Sequence, residues 1–164
     1  MALVTKKKIV ILGGGFGGLK AVFLLSKKLT SANLLNKYEL ILADKNSYHT
    51  YYPMLYEIAT TSKNLADQIK LKEISTFRFS EVLKNKPVTL MQKTIAELDL
   101  IGGDVHFTDG EKIRFDYLII ALGSETNYFE ILGLKENSFA LKTFRDAIAI
   151  RDAIWNKIED GDKN

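Results

Sequence analysis

A chain of 164 residues, 46% of them hydrophobic, is long enough to bury one sizeable core, and that length favours a single domain. Its 23 basic residues face 20 acidic ones, and a net charge of +3 is too thin an excess to argue for nucleic acid or an anionic membrane as partner. The lack of cysteine excludes a disulfide framework, a thiolate metal site and a cysteine nucleophile within these residues, and the two histidines, His49 and His106, match no metal-ligand spacing.

In chain order, Lys6, Lys7 and Lys8 lead into the apolar run Ile9 to Leu12, which breaks at Gly13. That run is too short for a signal peptide and reads as a parallel strand buried on both faces. From Phe16 to about Leu29 the residues Leu19, Val22, Phe23 and Leu25 recur at helical spacing, with Lys27 and Lys28 near the end where the helix dipole favours cations. Tyr38 to Leu42 predicts a second strand ending at Asp44, which completes a β-α-β unit. Residues 46–62 are polar and ring-rich, with Tyr48, Tyr51, Tyr52 and Tyr56, and suggest packing rather than a linker. An irregular helical pattern from about Leu65 to Lys84 stops at Asn85, Lys86 and Pro87, before a strand from Val88 to Met91. Alternation through Ile95, Leu98 and Leu100, then Val105 and Phe107, then Ile113 and Phe115, punctuated by Gly102-Gly103 and Asp109-Gly110, predicts a small antiparallel meander. Tyr117 to Leu122 reads as another buried strand. Thr143 followed three residues later by Asp146 is a relative of the capping box and opens a helix through Ala147, Ile150, Ile154 and Ile158. No stretch offers the roughly 18 uninterrupted apolar residues of a spanning helix, so this portion reads as soluble.

The chemistry lies at the first turn. Gly13, Gly15 and Gly18 satisfy G-x-G-x-x-G between a strand and a helix. The first glycine permits the turn, the second lets a pyrophosphate approach the backbone, and the third allows close helix-strand packing. The helix start then offers N–H groups and partial positive charge to phosphate. Asp44, at the end of the second strand, is placed to accept hydrogen bonds from both ribose hydroxyls of an adenosine, and an acid there disfavours the 2′-phosphate of NADP. A solvated strand-end Asp is the bland alternative. Strand, glycines, helix, strand and acid in that order favour a dinucleotide site over a purely structural turn.

An inserted meander suits a flavoprotein better than a simple NAD domain. With it, the segments IVILGGGFGGLKA, ADKNSYHTYYPMLYEIAT and DYLIIALGSETNYFEILGLKENSFALKT make the chain resemble the type II NADH dehydrogenases, membrane-peripheral NADH:quinone oxidoreductases of the two-dinucleotide-binding flavoprotein superfamily. The resemblance implies an α/β, Rossmann-like FAD-binding domain with a parallel sheet. It also implies that residues 1–164 are the N-terminal part of a discontinuous domain, whose NADH-binding domain and returning C-terminal segment lie elsewhere. By position, Gly13, Gly15 and Gly18 would face the FAD pyrophosphate, Asp44 the adenosine ribose, and Lys45 the rim of that ribose. Tyr52 and Pro53 would lie near the isoalloxazine edge, Ile95 would meet adenine through its backbone, and Ala121 and Gly123 would line the cofactor. The chain departs from the superfamily at Leu122, where threonine is usual, and at Tyr51-Tyr52, which replace a Phe-Gln style pair.

What the resemblance implies for function is hydride transfer from NADH to FAD and two-electron reduction of a quinone, at the cytoplasmic face of a membrane reached through segments outside this sequence. Metal is not required, the catalytic residues are not identifiable, and an uncovered sheet edge makes self-association an expectation. Glutathione-reductase-like relatives need a cysteine pair soon after the acid-bearing strand, and none is present. Two alternatives stay open: another reductase of the superfamily, acting on sulfide and quinone or on ferredoxin, and a non-catalytic nucleotide-binding module. His49 and His106 receive no role, and Gly161-Asp162 is a chance match to a flavin-binding pair.

Overall fold

The computed structural model describes residues 5–62 and 71–161. In chain order these form β1 (Lys7–Leu12), α1 (Phe16–Ser31), β2 (Tyr38–Asp44), β3 (Tyr48–Thr50), a 3-10 turn (Tyr52–Met54), α2 (Leu55–Thr60), α3 (Leu71–Ser75) and β4 (Thr76–Arg78). There follow α4 (Phe79–Val82), β5 (Thr89–Gln92), the meander strands β6 (Ile95–Asp99), β7 (Asp104–Phe107) and β8 (Lys112–Arg114), then β9 (Tyr117–Ile120) and α5 (Phe144–Gly161). The chain divides into two compact units, one of residues 5–49 with 78–123, the other of 50–62 and 71–77 with 124–161.

The first unit is Rossmann-like. Its sheet runs in the order β5-β2-β1-β9 with every neighbouring pair parallel. Parallel neighbours require crossovers, and α1 supplies the one between β1 and β2. Because side chains alternate along a strand, the apolar run of β1 splits between two faces. Ile9 and Ile11, with Leu40 and Leu42 of β2, pack against Leu19, Val22 and Leu29 of α1 and against Phe79 and Leu83. Val10 and Leu12, with Ile41 and Ala43, pack against Val105, Phe107 and Ile113 of the meander. The antiparallel β6-β7-β8 meander thus takes the place of a helical layer on one face of the sheet. Strand β9 stops at Ile120, two residues short of the expected Leu122, because β1 ends at Leu12 and the last bond between them is Ala121 N to Leu12 O, 2.8 Å.

In the second unit, α2 and α5 bury Leu55, Ile58, Ala59, Leu71 and Ala147 together. The ring nitrogen of Trp155 donates to the Thr61 carbonyl at 3.0 Å. The capping box forms as expected: Asp146 N donates to Thr143 Oγ1 at 3.1 Å and Thr143 N to Asp146 Oδ2 at 2.8 Å. The helix expected over residues 65–84 differs. Its first part, 65–70, lies outside the described residues, and from Leu71 onward two short helices flank β4. Thr76, Phe77 and Arg78 pair with β3 in a two-stranded ribbon, within which the boundary between the units falls. A β-branched residue and a ring suit a strand, and Phe77 meets the Tyr51 ring edge-on at 6.4 Å, so a tertiary partner overrides the weak helical pattern.

Candidate functional site

At the carboxyl end of β1 the chain turns through Gly13, Gly14 and Gly15 into α1. Gly13 takes φ +96°, and a Cβ there would stand 2.3 Å from the Ala121 carbonyl oxygen, so neither the backbone conformation nor the space admits a side chain. Gly18 faces back onto the turn: its missing Cβ would fall 1.8 Å from the Gly13 oxygen. Gly15 differs from both. Nothing lies within 4 Å of the position its Cβ would take, and its N–H has no acceptor among the described residues. As N-cap of α1 it brings no capping side chain, and the first turn carries no acid. The positive end of a 16-residue helix and a donor without an acceptor among the described residues therefore meet at an open face. This is the donor chemistry a pyrophosphate needs, so the residues present fit a dinucleotide.

Asp44 closes the other side. Its Oδ2 accepts from Gly14 N at 2.6 Å and its Oδ1 from Asn46 N at 2.7 Å, the second bond making an Asx turn that reverses the chain after β2. Each carboxylate oxygen keeps further lone-pair capacity, so the acid can serve the turn and still accept from a ribose. Beside it, where β2 and β5 end, a cleft of about 170 Å³ is lined by Asp44, Asn46, Ser47, Phe79, Ser80 and Gln92, among others. Polar groups rim an aromatic wall there, outside the carboxyl ends of parallel strands, where open α/β sheets bind ligands. The sequence reading missed Phe79, Ser80 and Gln92. The signal for Gln92 was the strand from Val88, while the expected long helix hid Phe79 and Ser80.

Of the other expected site residues, Ala121 stands against the turn, its carbonyl filling the space at Gly13 and its Cβ 3.8 Å from the Cβ position of Gly17. Gly123 takes φ +78° and Lys45 is exposed beside Asp44. Ile95 begins β6 and turns its side chain toward the meander core, outside the cleft lining. Tyr52 and Pro53 belong to the second unit, in the one-turn 3-10 segment, with Tyr52 48% exposed. Among the described residues no cluster of metal-ligating side chains occurs, and no helix is long and apolar enough to cross a membrane.

Several known proteins are similar to this chain. An alternative NAD(P)H-ubiquinone oxidoreductase C1, chloroplastic/mitochondrial, of Arabidopsis thaliana is 30% identical over 94% of this chain and 30% of its own length. A type II NADH:quinone oxidoreductase of Staphylococcus haemolyticus is 28% identical over 93% of this chain and 35% of its own. Among solved structures, NDH2 of Plasmodium falciparum in complex with NADH superposes with a TM-score of 0.66 at 29% identity, over 90% of this chain and 28% of that one. The resemblance to type II NADH dehydrogenases read from the motifs is thus met by relatives of that name, and the chain spans about a third of their length. The pyridine nucleotide-disulphide oxidoreductase family model matches residues 7–157, from β1 into α5, and the chain belongs to that family.

Proposed function

We propose that this chain holds the ADP half of FAD in an NADH:quinone oxidoreductase, where NADH, a quinone and a proton give NAD⁺ and the quinol. The observation that carries the reading is the pairing of Gly15, open and with an unclaimed N–H at the start of α1, with Asp44 at the end of β2. Gly15 would donate to the pyrophosphate, Asp44 would accept from the ribose, and the cleft beside Phe79 and Gln92 would take the adenine. The bound flavin supplies the redox chemistry, accepting hydride from a nicotinamide and passing electron pairs onward. Lys45, Tyr52, Pro53, Ala121 and Gly123 keep the roles the resemblance implies for them, and Ile95, outside the cleft lining, would meet the adenine at the cleft's edge through its backbone alone.

The absence of cysteine favours quinone reduction over disulfide chemistry, and the names of the similar enzymes support NADH as donor and quinone as acceptor. The NADH domain, the returning segment that completes the FAD domain, and contact with the cytoplasmic membrane surface are assigned to residues outside this sequence. The test is steady-state oxidation of NADH by the flavin-loaded complete protein with a soluble quinone, with and without a metal chelator. Quinone-dependent, chelator-insensitive turnover that prefers NADH to NADPH is expected. Flavin-loaded protein that leaves NADH untouched whatever the quinone overturns the reading.

A further inference from the structure

The peptide joining Gly14 to Gly15 is gripped by a side chain to which the proposed function gives no task. His49 is buried, 6% exposed, with Nδ1 3.0 Å from the Gly14 carbonyl oxygen. Its ring meets Phe16 edge-on, centroids 4.8 Å apart. A carbonyl oxygen only accepts, so Nδ1 carries the hydrogen and donates it. The peptide is planar and trans, which makes the Gly14 C=O and the Gly15 N–H point in opposite directions. Holding the oxygen therefore aims the N–H.

The peptide on the other side of Gly14 is held as well, because its N–H donates to Asp44. The Phe79 ring takes the remaining space: its Cζ lies 2.1 Å from where a Gly14 Cβ would be. Glycine-glycine peptides flip readily for want of side chains. A flip of this one would turn a carbonyl oxygen toward an incoming phosphate in place of a donor. Asp44 and His49 clamp Gly14 from its two ends, and the Asx turn at Asp44 reverses the chain that carries His49 back toward the turn.

We infer that His49 is a positioning residue for pyrophosphate binding, its Nδ1–H holding the Gly14 carbonyl so that Gly15 N–H faces the phosphate. The inference rests on the FAD reading above. It is tested on the complete protein, stripped of flavin, with His49→Asn, His49→Gln and His49→Leu. Asparagine places its amide nitrogen where histidine has Nδ1, and glutamine places it where histidine has Nε2. Calorimetric titration with FAD, ADP and adenosine, beside thermal unfolding without ligand, separates the roles. His49→Gln and His49→Leu are expected to weaken FAD and ADP by about 10-fold, the scale of one well-directed donor. Adenosine, lacking phosphate, is expected to bind all four proteins alike, and His49→Asn to restore FAD and ADP affinity. In the unliganded wild type, nitrogen NMR of the ring is expected to show Nδ1 protonated. The inference is overturned by unchanged ADP affinity in the glutamine variant, by adenosine affinity that falls in step with ADP, by an asparagine variant as weak as the glutamine one, or by a ring with bare Nδ1. If the leucine variant does not fold, the asparagine and glutamine pair and the wild-type ring decide the matter. Wild-type protein that binds neither FAD nor ADP sinks the FAD reading itself, whatever the ring spectrum shows, and the positioning role goes with it.

Discussion

Gly13, Gly15 and Gly18 share one motif but are glycine for different reasons, and substitution separates them. At Gly18 an added methyl meets the Gly13 backbone oxygen, so Gly18→Ala is expected to destabilise the protein by roughly 1–3 kcal/mol, the usual cost of overpacking. At Gly15 the methyl enters open space with φ −71°, so Gly15→Ala is expected to unfold within about 1 kcal/mol of wild type, the N-cap preference of glycine over alanine. Yet that methyl would stand on the side proposed for the pyrophosphate, and FAD affinity is expected to drop. Thermal unfolding of the unliganded variants beside FAD titration checks both. A Gly15→Ala protein that binds FAD as wild type does would remove Gly15 from the site. Besides the ribose contacts proposed for it, Asp44 tethers the backbone at Gly14 and Asn46, a task that its position in the sequence did not reveal. Asp44→Ala removes the proposed ribose contacts, roughly 1.5–3 kcal/mol per charge-assisted bond, together with both backbone tethers of the turn. In the complete protein, flavin content after gel filtration is expected to collapse, and unchanged stoichiometry would exclude the acid from the site. The glycine turn and the acid at the end of β2 were legible because the pattern that marks them is local. Gly14, an unspecified position of the motif, was not, since its constraints come from His49 and Phe79, 35 and 65 positions away by residue number.

At the scale of elements, legibility followed the strength of the repeating pattern. The apolar runs of β1 and β2 placed them correctly because burial on both faces leaves such a run unbroken, and the meander was marked by alternation and its two glycine turns. The helix expected over 65–84 breaks at Thr76 because β4 is three residues long and gains its order from pairing with β3, a long-range partner that no local window contains. The meander also carries a testable electrostatic seam. Lys112 sits 2.8 Å from Asp104 and holds its carboxyl below the usual range, and Lys93 does the same to Asp109. In return Asp109, then Glu111, push the Lys93 ammonium above its ordinary value. A lowered folded-state carboxylate gives stability that is present above the unfolded pKa, about 4, and is lost as pH falls through the lower folded value. The raised Lys93 gives stability that is present below the unfolded lysine value, about 10.4, and is lost as pH climbs through the folded one. Between those limits the seam is intact. Asp104→Asn and Asp109→Asn are therefore expected to lower the melting temperature slightly at pH 7 and not at pH 2, with a gap that shrinks in high salt because the pairs are exposed. A gap that persists in acid would assign the loss to packing.

For the whole molecule, the sheet order decides what these 164 residues can hold on their own. The groups proposed for the ADP half, Gly15, Asp44 and the cleft beside Phe79, all lie in the first unit. Among the described residues the sheet ends at β9, an edge strand that leaves Tyr117 48% and Ile120 54% exposed, with Leu122 beyond it also 54% exposed. Exposed apolar residues along an open parallel edge invite another chain to pair there. The 164-residue chain is accordingly expected to bind ADP, to bind FAD only slightly more tightly than ADP, and to show no NADH:quinone activity. An isoalloxazine ring that finds no covering segment stays in water and forfeits roughly 25 cal/mol for each Å² left unburied. Self-association that rises with concentration is expected through the β9 edge, and a charged substitution such as Ile120→Lys is expected to suppress it. Titration calorimetry with ADP and FAD, an absorption spectrum of the purified chain and sedimentation of wild type and Ile120→Lys check the three expectations. Yellow protein with stoichiometric, tightly held flavin and a monomeric sedimentation profile would mean that the site and the sheet are complete within these residues.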